Sequence, residues 1–331
     1  MMLEFLFRLQ QDENIGLDNK DTFQHVANDV LKSFEKLDKN ENARSLKSIH
    51  HKIKTVMSHL VKKPKSDQDS LPNTADIKDN CFEFPTDKDK KNNKMTETRN
   101  LLRGYRHLKH EFNHLSKKDQ SNYVGEIDIE KCIQECHEVL MLDLSNETKT
   151  QPGKFSVLPR SANFEGKDYP YPWYATEEIA YQAVDTIVLE YNKMVTEISE
   201  IEDKHEKLER TLKCATVLLF GFLTLHPFSD GNGRLARLLC SHCLKVLCPF
   251  PTSIYNVFSV SNRDEYVRAL VDARRDLKLS PDQIEYAEDA KKVAITILEQ
   301  TPNDLCSLVI ESNWFTWRQF LRRIGEDIDL F

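Results

Sequence analysis

The chain has 331 residues, 40% of them apolar and 30% charged, with a formal net charge of -7, a pI near 5.9 and a mean hydropathy of -0.56. At roughly 150 residues per domain this length suits two domains, or one domain with a tail, and the apolar share is enough for a sizeable core. No apolar run approaches the roughly 18 residues of a membrane span, the acidic balance argues against a chain-wide grip on nucleic acid, and 9 glycines with 12 prolines disfavour an all-β fold.

The N-terminus, Met1 to Asn14, has no basic n-region and no small-residue cleavage site, and eight cysteines fall far short of a disulfide scaffold, so a cytoplasmic location is expected. Residues 1–62 read as two or three amphipathic helices. Leu3, Phe5, Leu6 and Leu9, then Phe23, Val26, Val30, Leu31 and Phe34, then Ile49, Ile53, Val56 and Leu60 recur at helical spacing. Residues 63–95 are densely charged and poor in large apolar groups, which predicts a disordered linker. The basic cluster Lys62, Lys63 and Lys65 is opposed by nearby aspartates and reads as solvated.

Helical periodicity resumes near 97. A helix over about 97–115 carries Leu101, Leu102, Tyr105, Leu108 and Phe112, and one over about 127–142 carries Ile129, Cys132, Ile133, Cys136 and Leu140. Residues 150–175 crowd Gly, Pro and aromatic residues and predict a loop with a short β-hairpin. Long helices follow at about 177–199 and 203–225, the second closing on a strongly apolar run and therefore expected at the centre of the core. Another runs from Gly233 to Leu247, stopped by Pro249 and Pro251. Helices near 262–277, 281–299 and 303–324 complete an all-α reading.

His107, His110 and His114 share one helix face, yet no carboxylate or cysteine completes a metal set, so packing is the better reading. Cys240, Cys243 and Cys248 sit in or just after a helix and read as buried small apolar residues. Trp314, Phe315, Trp317 and Phe320 are expected to cover the C-terminal core.

The chemistry concentrates in Leu225-His226-Pro227-Phe228-Ser229-Asp230-Gly231-Asn232-Gly233-Arg234-Leu235-Ala236-Arg237. A Gly-rich turn between two buried helices exposes unpaired N–H groups at the start of the second, where the helix dipole is positive and an anion binds most easily. Arg234 and Arg237, at i and i+3, project from one face and suit the oxygens of a polyphosphate. Asp230 is a hard oxygen ligand for a Mg²⁺ that bridges those phosphates, and His226 is placed to accept a proton. The plain alternative is a turn, a capping histidine and two solvated arginines.

At every fixed position, residues 226–237 resemble the signature of Fic (Fido) domain proteins, His-Pro-Phe-x-(Asp/Glu)-Gly-Asn-Gly-Arg-x-x-Arg. Gly233 distinguishes it from the Doc-type phosphotransferases, which carry a lysine there. The resemblance spans about 96–300 and takes in Pro152-Gly153-Lys154, Arg160 and Tyr266 to Leu270. It implies a Fic-type helical bundle with a small β-hairpin flap, an N-terminal helical segment at 1–62, and residues 301–331 as a C-terminal helix on the core.

The function implied is a protein adenylyltransferase (AMPylation), which uses ATP and Mg²⁺. His226 would take the proton of an acceptor Ser, Thr or Tyr hydroxyl on a protein substrate, and Asp230 would hold the metal. Gly231, Asn232 and Gly233 would stabilise phosphoryl charge, and Arg234 and Arg237 would grip the β- and γ-phosphates. Tyr266 would contact the adenosine, although Arg274 stands where a small polar residue is common. Tyr169, Pro170, Tyr171 and Pro172, in a flap near 168–175, would hold the target segment by strand pairing.

Many family members also carry an inhibitory helix, (Ser/Thr)-x-x-x-Glu-(Gly/Asn), whose glutamate pairs with the second motif arginine. Ser307 to Ser312 fits except at its last position and makes Glu311 the inhibitory candidate. Ser161 to Gly166 fits in full but lies where no helix is expected. Other readings of the chain are a hydrolase removing AMP through the same site, with Glu311 orienting water, or a nucleotide-binding adaptor. In the adaptor reading the N-terminal helices, which resemble part of a death-effector-type bundle, recruit a protein partner.

Overall fold

The computed structural model describes residues 2, 5–6, 16–17, 19–38, 87–118, 125–144, 150–247, 250–254, 262–275, 277, 279 and 282–323. The expectations for the helix at Ile49 to Leu60 and for most of the 63–95 linker lie outside them, as do Cys81, Cys248 and the His114 side chain. The described chain is helical apart from one hairpin. In order it comprises α1 (Lys20–Asp38), α2 (Asp87–Lys118), a π-helical turn (Ile129–Glu135) running into α3 (Cys136–Leu140), β1 (Ser161–Phe164), β2 (Lys167–Pro170), α4 (Glu177–Glu200), α5 (Lys204–Leu225), α6 (Asn232–Cys243) with a 3₁₀ turn (Leu244–Val246), α7 (Asn262–Ala273), α8 (Ala287–Leu298) and α9 (Asn303–Arg323).

The apolar close of α5 makes it the central helix. From Leu218 to Leu225 every residue is buried, and α4, α6, α8 and α9 all pack on it. Full burial of each large side chain there, such as Phe220 and Phe222, contributes about 1.5–3 kcal/mol. Asp203 starts the helix by accepting the Glu206 N–H at 2.7 Å. On the other side α2 carries Leu101, Leu102, Tyr105 and Leu108 into the core against α3 and α6.

The N-terminal segment joins this core. Asn19 caps α1 through the Thr22 N–H, and Phe23, Ala27 and Val30 are buried as α1 packs on α2. The Leu17 N–H donates to Thr98 Oγ1 at 3.0 Å and the Gly16 N–H to Glu97 Oε2 at 2.6 Å. Phe23, Ala27 and Val30 of α1 are thus used within the chain.

Several boundaries differ from those expected. α2 begins at Asp87, inside the segment read as linker, although its first eight residues include two Asp and two Asn of low helix propensity, so the apolar row from Met95 onward carries the helix. The hairpin occupies 161–170, with Ser161 opposite Pro170 and Phe164 opposite Lys167, ahead of the 168–175 expected. Its two turn residues, Glu165 and Gly166, both take positive φ (50° and 75°), the conformation that matches strand twist in tight hairpins. α8 begins at Ala287 because the main chain of Ile284 is engaged elsewhere: its N–H donates to the Trp173 carbonyl and its carbonyl accepts from Ala175.

Candidate active site

α5 ends at His226, which caps it in the left-handed conformation (φ 48°, ψ 57°) while its N–H still bonds the Phe222 carbonyl at 2.9 Å. Histidine tolerates this region better than most residues, and Pro227 then forbids further helix. The chain passes through 227–231 and re-enters helix at Asn232. Gly231, at φ 77°, is the N-cap of α6 and offers no side chain to its first turn. The opening N–H groups of α6 are therefore left for an outside acceptor.

The loop is closed from within. Asn232, buried, accepts the Phe228 N–H on Oδ1 at 2.9 Å and donates through Nδ2 to the Phe228 carbonyl at 2.7 Å. Its carboxamide is committed to the loop backbone, so that of this residue only the main-chain N–H at the helix start is left to face a ligand. Phe228 is fully buried among Phe155, Phe222 and His137.

Asp230 and Arg234 sit one turn apart. Oδ2 of Asp230 lies 3.2 Å from Arg234 Nη2, and Oδ1 accepts the Gly231 N–H at 2.6 Å. The Asp230 side chain is 54% exposed and that of Arg234 only 5%. One open carboxylate among arginines fits a Mg²⁺ that keeps several waters and takes most of its ligands from phosphates. It does not fit a metal held by the protein alone, and no group of three or more His, Cys, Asp or Glu positioned for one occurs among the described residues.

Arg237 is buried beside Tyr266, its guanidinium carbon 5.8 Å from the ring centre. Burial raises the Tyr266 phenol to about 12, with Arg237 opposing. The structure thus sets Tyr266, expected against adenosine, on the second motif arginine.

His226 faces a cationic wall. Burial, then the charges of Arg160 and Arg274, push its imidazole down to about 3, with the Leu223 carbonyl opposing. The ring is neutral at physiological pH and able to accept a proton. The flap reaches it directly: the Tyr171 ring stacks on that of His226 with centroids 3.9 Å apart and planes within 12°.

Two arginines hold Tyr171 there. Arg160 donates to the Phe228 carbonyl (3.0 Å) and the Pro172 carbonyl (3.1 Å), and its own carbonyl accepts the Tyr171 N–H at 2.9 Å. Arg274 donates to the Pro170 carbonyl at 2.6 Å and lies 4.7 Å from the Tyr171 ring centre. Tyr169 is on β2.

Glu311 is not brought to Arg237. Leu305, Leu308, Val309, Ser312, Asn313 and Thr316 form the buried row of α9, which places Glu311 with Ile310 and Trp314 on the exposed row. Ser161 to Gly166 builds β1 and the hairpin turn, with Glu165 paired to Arg268 at 2.9 Å, and no inhibitory helix forms there. Of the histidine row on α2, His107 is buried and bonds the Lys131 carbonyl at 2.7 Å, and the exposed His110 bonds the neighbouring Glu111. Cys132, Cys136, Cys214, Cys240 and Cys243 are buried free thiols.

One site residue escaped sequence reasoning. His137, on α3, accepts the Gly153 N–H on Nδ1 at 2.9 Å, reaches the Asp230 carbonyl through Nε2 at 2.9 Å, and stacks on Phe228 with centroids 3.7 Å apart. A lone histidine on an apolar helix face gives no signal of contacts 16 and 93 residues away.

The helical bundle thus brings a neutral imidazole, an uncapped helix start, a carboxylate and two arginines together around one turn. The sequence model of the Fic/DOC family matches residues 127–244, and the chain carries a Fic domain. Curated relatives include a ribonucleoside-diphosphate reductase small chain of Ostreid herpesvirus 1 (28% identical over 175 residues, 52% of this chain and 27% of that protein) and a Fido domain-containing protein of Dictyostelium discoideum (33% identical over 88 residues, 26% and 53%). The chain thus spans about a quarter and about half of these two proteins. Among solved structures, a Fic domain-containing signalling protein from Bacteroides thetaiotaomicron aligns at 17% identity over 67% of this chain and 73% of that chain, with a TM-score of 0.42. No helix among the described residues is long and apolar enough to cross a membrane.

Proposed function

We propose that this chain transfers AMP from ATP to a hydroxyl side chain of a protein. The observation that carries the reading is the turn from His226 to Arg234, in which a neutral imidazole sits beside an uncapped helix start and an Asp–Arg pair. His226 takes the acceptor hydroxyl's proton; the oxygen forms a bond to the α-phosphorus, and the bond from that phosphorus to the β-phosphate bridging oxygen breaks, releasing pyrophosphate. The N–H groups at the start of α6, with Arg234 and Arg237, stabilise the charge that moves onto the leaving group. Mg²⁺, held by Asp230 and the phosphates, would neutralise part of that charge. A triphosphate bound here also offsets Arg160 and Arg274, which raises His226 from its depressed value toward a more effective base. The flap, β2 with the Tyr171–Pro172 segment that follows it, is the surface for the acceptor segment, and a partner recruited by α1 meets its polar row.

Hydrolytic removal of AMP through the same site needs a carboxylate to orient water, and Glu311, the residue expected to do so, faces solvent on α9. Incubation with Mg²⁺ and ATP labelled at the α-phosphate tests the reading. Labelled protein is expected with the wild type and about 10²–10⁴-fold less with His226→Ala. Equal labelling in that variant would remove His226 as the base, and nucleotide binding without labelling in the wild type would favour the adaptor reading.

A further inference from the structure

His137 lies outside the twelve-residue motif, yet its ring touches the motif loop on three sides. The Gly153 N–H can only donate, so Nδ1, its acceptor at 2.9 Å, carries no proton. The single imidazole proton is therefore on Nε2 and is donated to the Asp230 carbonyl at 2.9 Å. The ring face lies on Phe228 with planes within 4°, and its edge lies 3.2 Å from where a Cβ on Gly231 would stand. The side chain is buried, so these contacts are not exchanged for water.

We propose that His137 is a positioning residue for the metal–nucleotide site: its Nε2–H holds the Asp230 main chain so that the exposed carboxylate stays aimed at the phosphate-bound cation. The inference rests on the reading of Asp230 as the Mg²⁺ ligand. Without that hydrogen bond Asp230 keeps, among the described residues, its side-chain contacts to Gly231 and Arg234, and its carbonyl, no longer anchored, leaves the loop backbone free to turn. Outer partners of metal ligands commonly control affinity by about 10–100-fold.

Two substitutions divide the ring's roles. The amide nitrogen of His137→Gln reaches about as far as Nε2 and can donate to the Asp230 carbonyl. His137→Asn places its carboxamide near Nδ1, keeps an acceptor for Gly153, and loses Asp230. Mn²⁺ binding, followed by electron paramagnetic resonance with α,β-methylene-ATP present, is the readout. Mn²⁺ is expected to bind His137→Asn about 10–100-fold more weakly than wild type and His137→Gln within about threefold. Equal weakening in both, or none in either, would overturn the positioning role while leaving the site intact. Failure of the wild type to bind Mn²⁺ at all would defeat the site reading, and the role of His137 with it.

A second measurement needs no variant. In ¹⁵N-histidine-labelled wild type the Nε2–H signal of His137 should shift when Mg²⁺ and α,β-methylene-ATP are added. A protonated Nδ1, or a signal indifferent to the metal–nucleotide pair, would refute the proposal.

Discussion

At Gly231 the backbone sits at φ 77°, and a Cβ built there would meet the Met141 sulfur at 2.9 Å and His137 Nε2 at 3.2 Å. Two penalties act together, since an L side chain resists that φ and the floor of the loop has no room. Gly231→Ala is expected to destabilise the fold by about 1–3 kcal/mol, seen as a lower urea midpoint, and to weaken nucleotide binding as the start of α6 shifts. A midpoint equal to wild type would mean that the Met141 and His137 side chains yield freely. The turn itself was legible in the sequence because glycines between two apolar helices break the helical pattern, whereas the loop closure by the Asn232 carboxamide was not, since a single side chain bonding backbone four residues back leaves no spacing signal. His137 was not legible, because its partners come from the chain near Gly153 and the far side of α5. Nothing in local spacing distinguishes it from an ordinary core histidine.

On the scale of elements, α7 is the brace between the flap and the turn and helix at 226–237. Tyr266 meets Arg237, Arg268 meets Glu165 at the hairpin tip, and Arg274, just past the helix end, holds Pro170 and Tyr171. The exposed Arg268 pair, with both side chains more than 60% solvent-accessible, contributes little. Arg274 is largely buried, and its burial lowers the pKa of its guanidinium, with Tyr171 opposing. It is the principal tether. Arg274→Ala is expected to speed amide exchange across 161–171 at least several-fold, with α4 and α5 unchanged. Equal exchange in the flap would assign its order to Arg160 alone. The hairpin was readable from its Gly, Pro and aromatic pattern, but its register was not. Prolines at 170 and 172 lack the N–H that continues a ladder, and the last pairing comes from the Tyr171 N–H to the Arg160 carbonyl instead. Glu311 shows the converse limit: a six-residue pattern can match at all but its last position while the buried row of the whole helix turns the key carboxylate outward.

Over the whole molecule, burial leaves several imidazoles neutral in the folded state. His137 is held at about 4, and His226 and His242 at about 3, each chiefly by burial. In the unfolded chain all three titrate near 6.5. Between about pH 4 and pH 6.5 the unfolded state therefore binds more protons than the folded one, and stability rises with pH across that window. Each imidazole adds a slope of at most about 1.4 kcal/mol per pH unit. Glu135, whose carboxyl is raised by burial and by Glu111, works in the opposite direction and softens the trend. His242 isolates one contribution. It stacks on Phe112 with ring centres 5.0 Å apart and lies 5.5 Å from Tyr105, while its buried Nε2 has no hydrogen-bond partner among the described residues. A benzene ring fits such surroundings, so His242→Phe is expected to fold and to lose one titrating group where α2 meets α6. The melting temperature of the wild type should fall steadily from pH 7 to pH 5, and that of His242→Phe should fall less steeply, since His107, also lowered by burial, and the other two imidazoles still contribute. Identical slopes would show that His242 is protonated in the folded protein, and a flat wild-type profile would mean that all three rings reach water far more readily than their packing allows.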